Sequence, residues 1–151
     1  MSLNPGKFNL YAFFKLPSAW WCGVRLKSCD EEKAVVTVKH KWFNQNPFKS
    51  MFWAVQGMAA ELSTGIMVSS QIRDSGENIS MLVANNKGNF SKKATGKITF
   101  TCKDGKKIKE ALDRTIATGE GQTFWMKSVG VNEAGLIVST FNFEWTVKLR
   151  A

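Results

Sequence analysis

Residues 50–70 read SMFWAVQGMAAELSTGIMVSS and carry the longest helical pattern in the chain. Their large apolar side chains recur at intervals of three and four, at Met51, Val55, Met58, Leu62 and Ile66. This spacing predicts a helix that is apolar around most of its circumference and long enough to be buried. Ser50 is the expected N-cap. We therefore expect a central helix over about residues 50–70 that other elements must cover.

Strand patterns lie on both sides of this helix. Two precede it, at about residues 23–28 and 36–42, and in the second Val38, His40 and Trp42 share the apolar face. Four follow, around residues 79–83, 97–103, 125–131 and 137–149, with a shorter helix at about 106–117. In the third of these, Trp125, Val129 and Val131 are in phase, and residues 86–88 are an expected turn.

Strands that follow one another in runs predict an antiparallel sheet. No element other than this sheet is large enough to cover the central helix. The predicted fold class is therefore α+β, a highly curved antiparallel sheet wrapped around the central helix.

Composition limits the classes of function. The chain has 151 residues, enough for one domain over residues 1–151, and 21 Lys and Arg against 12 Asp and Glu give a net charge of +9. Such a surface attracts nucleic acid, anionic lipid or a phosphorylated ligand. One His and three Cys without a C-x-x-C pair predict no metal site, and free thiols fit a reducing cytoplasm. No segment reaches the roughly 18–20 apolar residues of a membrane span.

The N-terminal region is also apolar. Residues 8–21 include Phe13, Phe14, Trp20 and Trp21, interrupted by Lys15 and Pro17. The interruptions and the lack of a cleavage site predict a short helix rather than a signal peptide. Two alternatives remain open for it: a helix that covers one end of the core, or an interfacial contact with a membrane.

Residues 46–62, NPFKSMFWAVQGMAAEL, resemble the loop and central helix of the hot-dog acyl-CoA thioesterase superfamily. The order of elements agrees, and the chain is most similar to the branch known as domain of unknown function 4442, through Ser50-Met51-Phe52 and Ala60-Glu61-Leu62. The resemblance implies a hot-dog fold and a homodimer or homotetramer with sheets joined edge to edge and active sites between subunits. It implies an acyl thioester substrate, carried by coenzyme A or a carrier protein. Coenzyme A would enter only as part of the substrate, without a separate cofactor.

Glu61 is the main candidate for chemistry. It is the only carboxylate between Glu32 and Asp74, and it lies in an apolar helix beside the small residues Ala54, Gly57 and Gly65. Small neighbours predict room for a ligand or water, and desolvation is expected to raise the pKa of Glu61. A general base near neutral pH, or a nucleophile that attacks the thioester directly, fits these properties. The alternative is a carboxylate that is bonded to backbone or to a Lys.

Thioester hydrolysis also needs donors for the developing oxyanion. Backbone N–H groups near Phe52 and Trp53 lie at the start of the predicted helix, where such donors are free. Many superfamily members have His-Gly-Gly where this chain has Phe52, Trp53 and Ala54. Trp53 and Gly57 are the expected wall of an acyl tunnel.

Four further residues complete the candidate site. Asn46 is expected either to orient water or thioester, or to form a turn that caps the helix. Thr64 is expected either to bind a water or to bond its own helix backbone. Lys92 and Lys93 are expected to bind coenzyme A phosphate, or else to belong to a solvated loop.

Three classes of function follow from these residues. The first is a thioesterase, and the second is a non-catalytic acyl or lipid binding module on the same fold. The third is a basic nucleic-acid binder, but no Arg-rich stripe or aromatic-basic RNA motif accompanies the lysines, so no nucleic-acid partner is expected.

Overall fold

The computed structural model describes residues 2–151. The helices and strands follow the predicted order, except that the N-terminal region forms two helices instead of one. Their bounds are α1 Pro5–Lys15, α2 Pro17–Trp21, β1 Arg25–Cys29, β2 Ala34–Lys39, α3 Trp53–Ser75, β3 Ile79–Phe90, β4 Lys97–Cys102, α4 Gly105–Thr118, β5 Gln122–Val131 and β6 Ile137–Leu149. A 3₁₀ turn, Trp42–Asn44, lies between β2 and α3.

All strand pairs are antiparallel, in the order β1-β2-β4-β5-β6-β3. Helix α3 contacts each of the six strands, so the sheet must curve around it. Its buried residues include Val55, Ala59, Met67 and Val68, which pack against the inward face of the sheet. The expected α+β fold, a curved antiparallel sheet around a central helix, is confirmed.

The central helix is shifted relative to the expected range. It starts at Trp53, and the N-cap is Phe52 with no side-chain hydrogen bond, so the prediction of Ser50 as N-cap is wrong. The Ser50 hydroxyl instead bonds the Asn46 side chain in the preceding loop. At the other end α3 runs to Ser75 and stops at Gly76, whose φ of 73° is readily adopted by glycine.

The apolar face predicted around Trp42 is also wrong. Strand β2 ends at Lys39, and Trp42 is 81% exposed. The cause is the buried Asn44, whose side chain donates to the carbonyls of Cys22 and Lys39 and accepts from the N–H of Lys41. These bonds turn the chain away from the sheet. His40, expected beside Trp42 on that face, therefore lies outside β2.

Strands β5 and β3 depart from expectation in face and in length. The buried face of β5 carries Met126, Ser128 and Gly130, whereas Trp125 is on the outer side. A Cβ on Gly130 would collide with the Phe100 ring, so the backbone of Gly130 is the surface on which that ring packs. Residues 86–88, expected as a turn, continue β3 because β6 pairs with them along its length.

Candidate active site

Glu61 projects from the middle of α3 and is half-buried. Within residues 2–151, no cation pairs with its carboxylate and no donor is bonded to it. Burial removes water without supplying a partner, so the pKa of Glu61 is raised above its ordinary value of 4.5. A carboxyl group in this state can exchange a proton closer to neutral pH than an exposed one.

The Glu61 side chain lies beside Gly65 and the indole of Trp145. A Cβ built on Gly65 would come within 3.0 Å of both Glu61 Oε1 and the Trp145 ring. At Gly57 the same construction meets the Phe141 ring at 3.6 Å. The room expected beside the small residues of α3 is therefore largely filled by aromatic rings of β6, and these rings provide the apolar surroundings of the carboxylate.

Thr64 holds one of these rings in place. Its hydroxyl donates to the backbone carbonyl of Glu61 at 2.9 Å and accepts from Nε1 of Trp145 at 3.0 Å. The residue is fully buried. The Thr64 hydroxyl therefore donates to its own helix backbone, which is the second of the two roles expected from the sequence. The same hydroxyl positions the Trp145 ring against Glu61.

A cavity of about 310 Å³ adjoins Glu61. Its other walls are Met58 and Leu62 of α3 and the segment that joins α1 to α2, residues 15–19. The wall is mostly apolar, and Glu61 is the only carboxylate that residues 2–151 contribute to it. This cavity has the composition expected of a pocket for an apolar chain that ends near a reactive group.

A second cavity of about 550 Å³ lies at the N-terminus of α3. The N–H of Phe52, a residue of its wall, is not free, because it donates to the carbonyl of Asn44 at 2.9 Å. In the described chain, the N–H groups of Trp53 and Ala54 have no acceptor, as the first turn of a helix requires. These two amides can bind a negatively charged oxygen.

The second cavity brings together most of the other predicted site residues. Asn46, Phe52, Trp53, Lys92 and Lys93 all line it. Lys93 Nζ donates to the carbonyl of Phe48 at 3.2 Å, which fixes the lysine at the rim. In the described part of the chain, Gly57 lines neither cavity, since Phe141 packs there.

Asn46 organises the loop before α3. Its Oδ1 accepts from the backbone N–H of Phe48 at 2.8 Å, and its Nδ2 donates to the Ser50 hydroxyl at 3.0 Å. Lys49, in the same loop, has a φ of 59°. The side chain of Asn46 therefore stabilises a tight turn that sets where α3 begins.

Gln56 is a site residue that the sequence analysis did not predict. It is 4% exposed and lines the second cavity, and Nε2 donates to the carbonyl of Met51, while Oε1 has no partner in the described chain. A buried amide oxygen without a donor is unfavourable. In the sequence, this residue could have been noticed as a polar glutamine within an otherwise apolar helix.

The two cavities are separate in one chain. Glu61 and Trp53 are eight residues apart on α3, roughly 12 Å along the axis at about 1.5 Å per residue. One carbonyl cannot contact the Trp53 amide and the Glu61 carboxylate of the same helix across that distance. The predicted site residues thus form two half-sites.

A curved antiparallel sheet around one long helix is the architecture of the hot-dog fold. The chain belongs to the family described as domain of unknown function DUF4442, whose pattern matches residues 6–147. None of the curated proteins compared with the chain matches it.

Solved structures share the fold at low sequence identity. A Pseudomonas aeruginosa protein of unknown function, described as a probable thioesterase, is 15% identical with a TM-score of 0.83, covering 97% of each chain. A Chlorobaculum tepidum protein of unknown function is 16% identical with a TM-score of 0.82, covering 97% of this chain and 94% of that one. A Haemophilus influenzae thioesterase is 14% identical with a TM-score of 0.75, covering 97% and 92%. At these identities the likeness establishes the fold.

Among the described residues, no cluster of three or more His, Cys, Asp or Glu could hold a metal ion. No helix in the same part of the chain is long and apolar enough to cross a bilayer.

Proposed function

We propose that this protein hydrolyses an acyl thioester of coenzyme A or of an acyl carrier protein, with Glu61 as general base or nucleophile. The observation that carries the proposal is the half-buried, unpaired Glu61 carboxylate, with its raised pKa, beside an apolar cavity. The proteins from P. aeruginosa and H. influenzae, which are named as thioesterases, add support because they share this fold.

In the base mechanism, Glu61 removes a proton from water, and the resulting oxygen nucleophile attacks the thioester carbonyl. The carbonyl oxygen becomes an oxyanion, which the N–H groups of Trp53 and Ala54 can bind. The C–S bond then breaks, the thiolate takes a proton, and the carboxylic acid is released. In the nucleophilic alternative, Glu61 attacks the carbonyl directly and water cleaves the resulting anhydride.

The two half-sites require two copies of the chain. The oxyanion donors of one α3 are proposed to act with Glu61 of a second α3, because the two groups of one helix are too far apart. Strand β3 is an open edge of the sheet and carries the exposed Leu82 and Phe90, so a second β3 can pair with it. We therefore propose a homodimer, or a homotetramer built from such dimers.

The proposed ligand groups follow from charge. Lys92 and Lys93, at the rim of the second cavity, are proposed to bind the phosphates of coenzyme A, which enters as part of the substrate. Asn46 is proposed to position the thioester by fixing the loop.

The three cysteines are free, and burial raises the pKa of Cys29 to about 11 and of Cys102 to about 12. Unpaired, unreactive thiols favour a cytoplasmic location.

The test is thiol release from coenzyme A thioesters of increasing acyl length, for wild type, Glu61→Gln and Glu144→Gln. Glu144 is a matched control, since its carboxylate accepts from Asn85 on β3. We expect at least a roughly hundredfold loss of kcat in Glu61→Gln and little change in Glu144→Gln. Absence of turnover by folded wild type on every chain length would contradict the proposal.

A second candidate is a non-catalytic acyl or lipid binding module. The observation that favours it is at the N-terminus of α3, where Phe52 and Trp53 replace smaller superfamily residues and Asn44 engages the Phe52 N–H. Such a module would bind acyl thioesters without releasing thiol. Calorimetric titration with a non-hydrolysable acyl thioether of coenzyme A, beside the turnover assay, separates the two functions.

A further inference from the structure

The two N-terminal helices carry large apolar side chains that face solvent. Leu10 is 64% exposed, Tyr11 55%, Phe14 69% and Trp21 55%. The two helices have sixteen residues in all, and four of them are large, exposed apolar residues. Exposed apolar side chains on a typical protein surface are isolated, whereas these four are clustered. We call this surface, together with the adjoining Trp42, the N-terminal face.

Ring contacts and hydrogen bonds hold the N-terminal face in place. Phe13 lies at its centre, with ring centroids 4.9 Å from Phe14, 4.7 Å from Trp20 and 6.3 Å from Trp21. The Asn9 side chain donates to the carbonyl of Leu26 and accepts from its N–H, which anchors α1 to the edge strand β1. The exposed rings are therefore held in place.

Trp42 adjoins the same surface. Asn44, in the same turn, donates to the carbonyl of Cys22, the residue after Trp21. The Lys41 side chain lies against Gly23, where an added Cβ would come within 3.2 Å of it. With 81% of its surface exposed, Trp42 extends the apolar area beyond α2.

The segments of sequence that build this face contain no acidic residue. No Asp or Glu occurs in residues 1–29 or in residues 33–60. Of the eight Lys and Arg residues in these segments, Lys7 and Lys15 belong to α1, Arg25 lies 4.1 Å from the centre of the Trp20 ring, and Lys41 lies against Gly23. Exposed aromatic side chains beside Lys and Arg side chains match a partner that has an apolar interior and a negatively charged surface.

We propose that the N-terminal face docks on the surface of an anionic lipid bilayer. Trp, Tyr and Phe partition to the headgroup region, where their rings contact acyl chains, and each nearby Lys or Arg adds an attraction to anionic lipid. A second copy of this chain is a poor partner, because a two-fold contact would set this positive face against itself.

The N-terminal face lies next to the cavity beside Glu61. Residues 15–19, which join α1 to α2, also line the cavity beside Glu61. A bilayer on the N-terminal face would thus border the wall of that cavity, and an acyl chain has a short path between the two. The docking itself does not depend on hydrolysis, so it is tested without substrate.

The experiment is co-sedimentation of the full chain with vesicles of phosphatidylcholine alone or with about 30% phosphatidylglycerol, at low and high salt. Two double variants probe the face: Trp21→Ser with Trp42→Ser, and Lys15→Glu with Lys41→Glu. Two matched variants of exposed residues elsewhere are controls: Trp125→Ser with Ile116→Ser, and Lys106→Glu with Arg114→Glu. Thermal melts confirm that each variant folds.

We expect binding to the anionic vesicles only, weakened by salt, and at least about tenfold weaker in both face variants than in either control. Failure of wild type to bind anionic vesicles at low salt would overturn the proposal and leave an acidic protein as the partner. Equal losses in face and control variants would overturn it too. So would dissociation of an oligomer by the tryptophan variant in sedimentation velocity, since the face would then cover a second copy.

Discussion

At the scale of single residues, Glu61 combines two properties that folding alone does not favour. It is half-buried, and no cation or donor in the described chain compensates its charge. Removing water from a carboxylate without such compensation is destabilising. Replacing it with a neutral isostere should therefore make the protein more stable, whereas a structural carboxylate should lose stability on replacement.

This gives a prediction about pH. The pKa of Glu61 is higher in the folded chain than its ordinary value of 4.5, so between 4.5 and the raised pKa the native state binds more protons than the unfolded state. The contribution of Glu61 to wild-type stability then falls as pH rises through this window. Glu61→Gln lacks the effect, so its Tm should exceed that of wild type by a margin that grows from pH 4.5 toward neutrality.

The measurement is a series of thermal melts across that pH range, with Glu110→Gln as the control because Glu110 is exposed on α4. A margin that stays constant or shrinks with rising pH would mean that Glu61 is compensated by a partner. The same raised pKa predicts that turnover by wild type increases with pH, because the base acts as the carboxylate.

Sequence reasoning could find Glu61 because a lone carboxylate in an apolar helix stands out without any knowledge of its neighbours. Gln56 escaped it, since an amide is neutral and only the fold shows that its Oε1 lacks a donor. Thr64 could be placed near Glu61 by helical spacing. Its bond to Trp145, 81 residues later in the chain, depends on how β6 packs on α3.

At the scale of elements, Gly57 and Gly65 of α3 leave different amounts of space for a side chain. Gly65→Ala would place a methyl group within 3.0 Å of Glu61 Oε1 and the Trp145 ring, whereas Gly57→Ala would meet Phe141 at an ordinary 3.6 Å. Overpacking costs about 1–3 kcal/mol, while Ala in a helix gains up to about 1 kcal/mol over Gly. We expect Gly65→Ala to lower the free energy of unfolding and Gly57→Ala to leave it unchanged or raise it.

Chemical denaturation of both variants measures this difference, and each serves as the control for the other. Similar effects of the two substitutions would show that the ring of Trp145 moves freely and does not confine Glu61.

The N-terminus of α3 allows a backbone donor to be removed on its own. Phe52, with φ −58° and ψ 134°, has the extended conformation that a residue before proline prefers, and Trp53 is the first helical position, where proline is well accepted. Trp53→Pro removes one proposed oxyanion donor together with the indole. Trp53→Ala removes the indole and keeps the N–H.

We expect Trp53→Pro to lower kcat about 10²–10³-fold, and Trp53→Ala to change mainly KM. Steady-state kinetics on the best substrate of the wild type compares them. Equal kcat values for the two variants would exclude the Trp53 N–H as a donor in the reaction.

The sequence predicted the existence and order of the main elements but was less accurate on faces and ends. Apolar residues alternate with polar ones along residues 141–147 of β6, and Phe141, Phe143, Trp145 and Val147 form its buried face. In β5 the apolar pattern is misleading, because its buried positions include Ser128 and Gly130. Ser128 pairs with Ser63 of α3 at 2.7 Å, a contact that no local pattern reveals.

At the scale of the whole molecule, two different surfaces each carry several exposed apolar residues. One follows β3 and the start of α3, with Leu82, Phe90 and Trp53, and is proposed to meet a second copy. The other is the N-terminal face, whose positive charge disfavours self-association. The separation of the half-sites on α3 is the reason for proposing that contact, since Glu61 does not reach the proposed oxyanion donors of its own helix.

A mixed oligomer tests this arrangement directly. Glu61→Gln and Trp53→Pro chains with different affinity tags are co-expressed, and the hetero-oligomer is purified by both tags in turn. If a site takes Glu61 from one chain and the Trp53 N–H from the other, one site of a heterodimer carries both substitutions and the other carries none. Two-fold symmetry then predicts about half of the wild-type turnover per dimer, although each variant alone is nearly inactive.

The control is the Trp53→Pro protein prepared with both tags in the same way, which should stay inactive because every site lacks the donor. Sedimentation velocity establishes that the mixed species is a dimer, or a tetramer with paired sites. If each chain held a complete site, every site in the mixed species would carry one substitution and turnover would not recover. That outcome would require Glu61 and the α3 amides to act on different parts of the substrate, and would leave the β3 edge without a catalytic role.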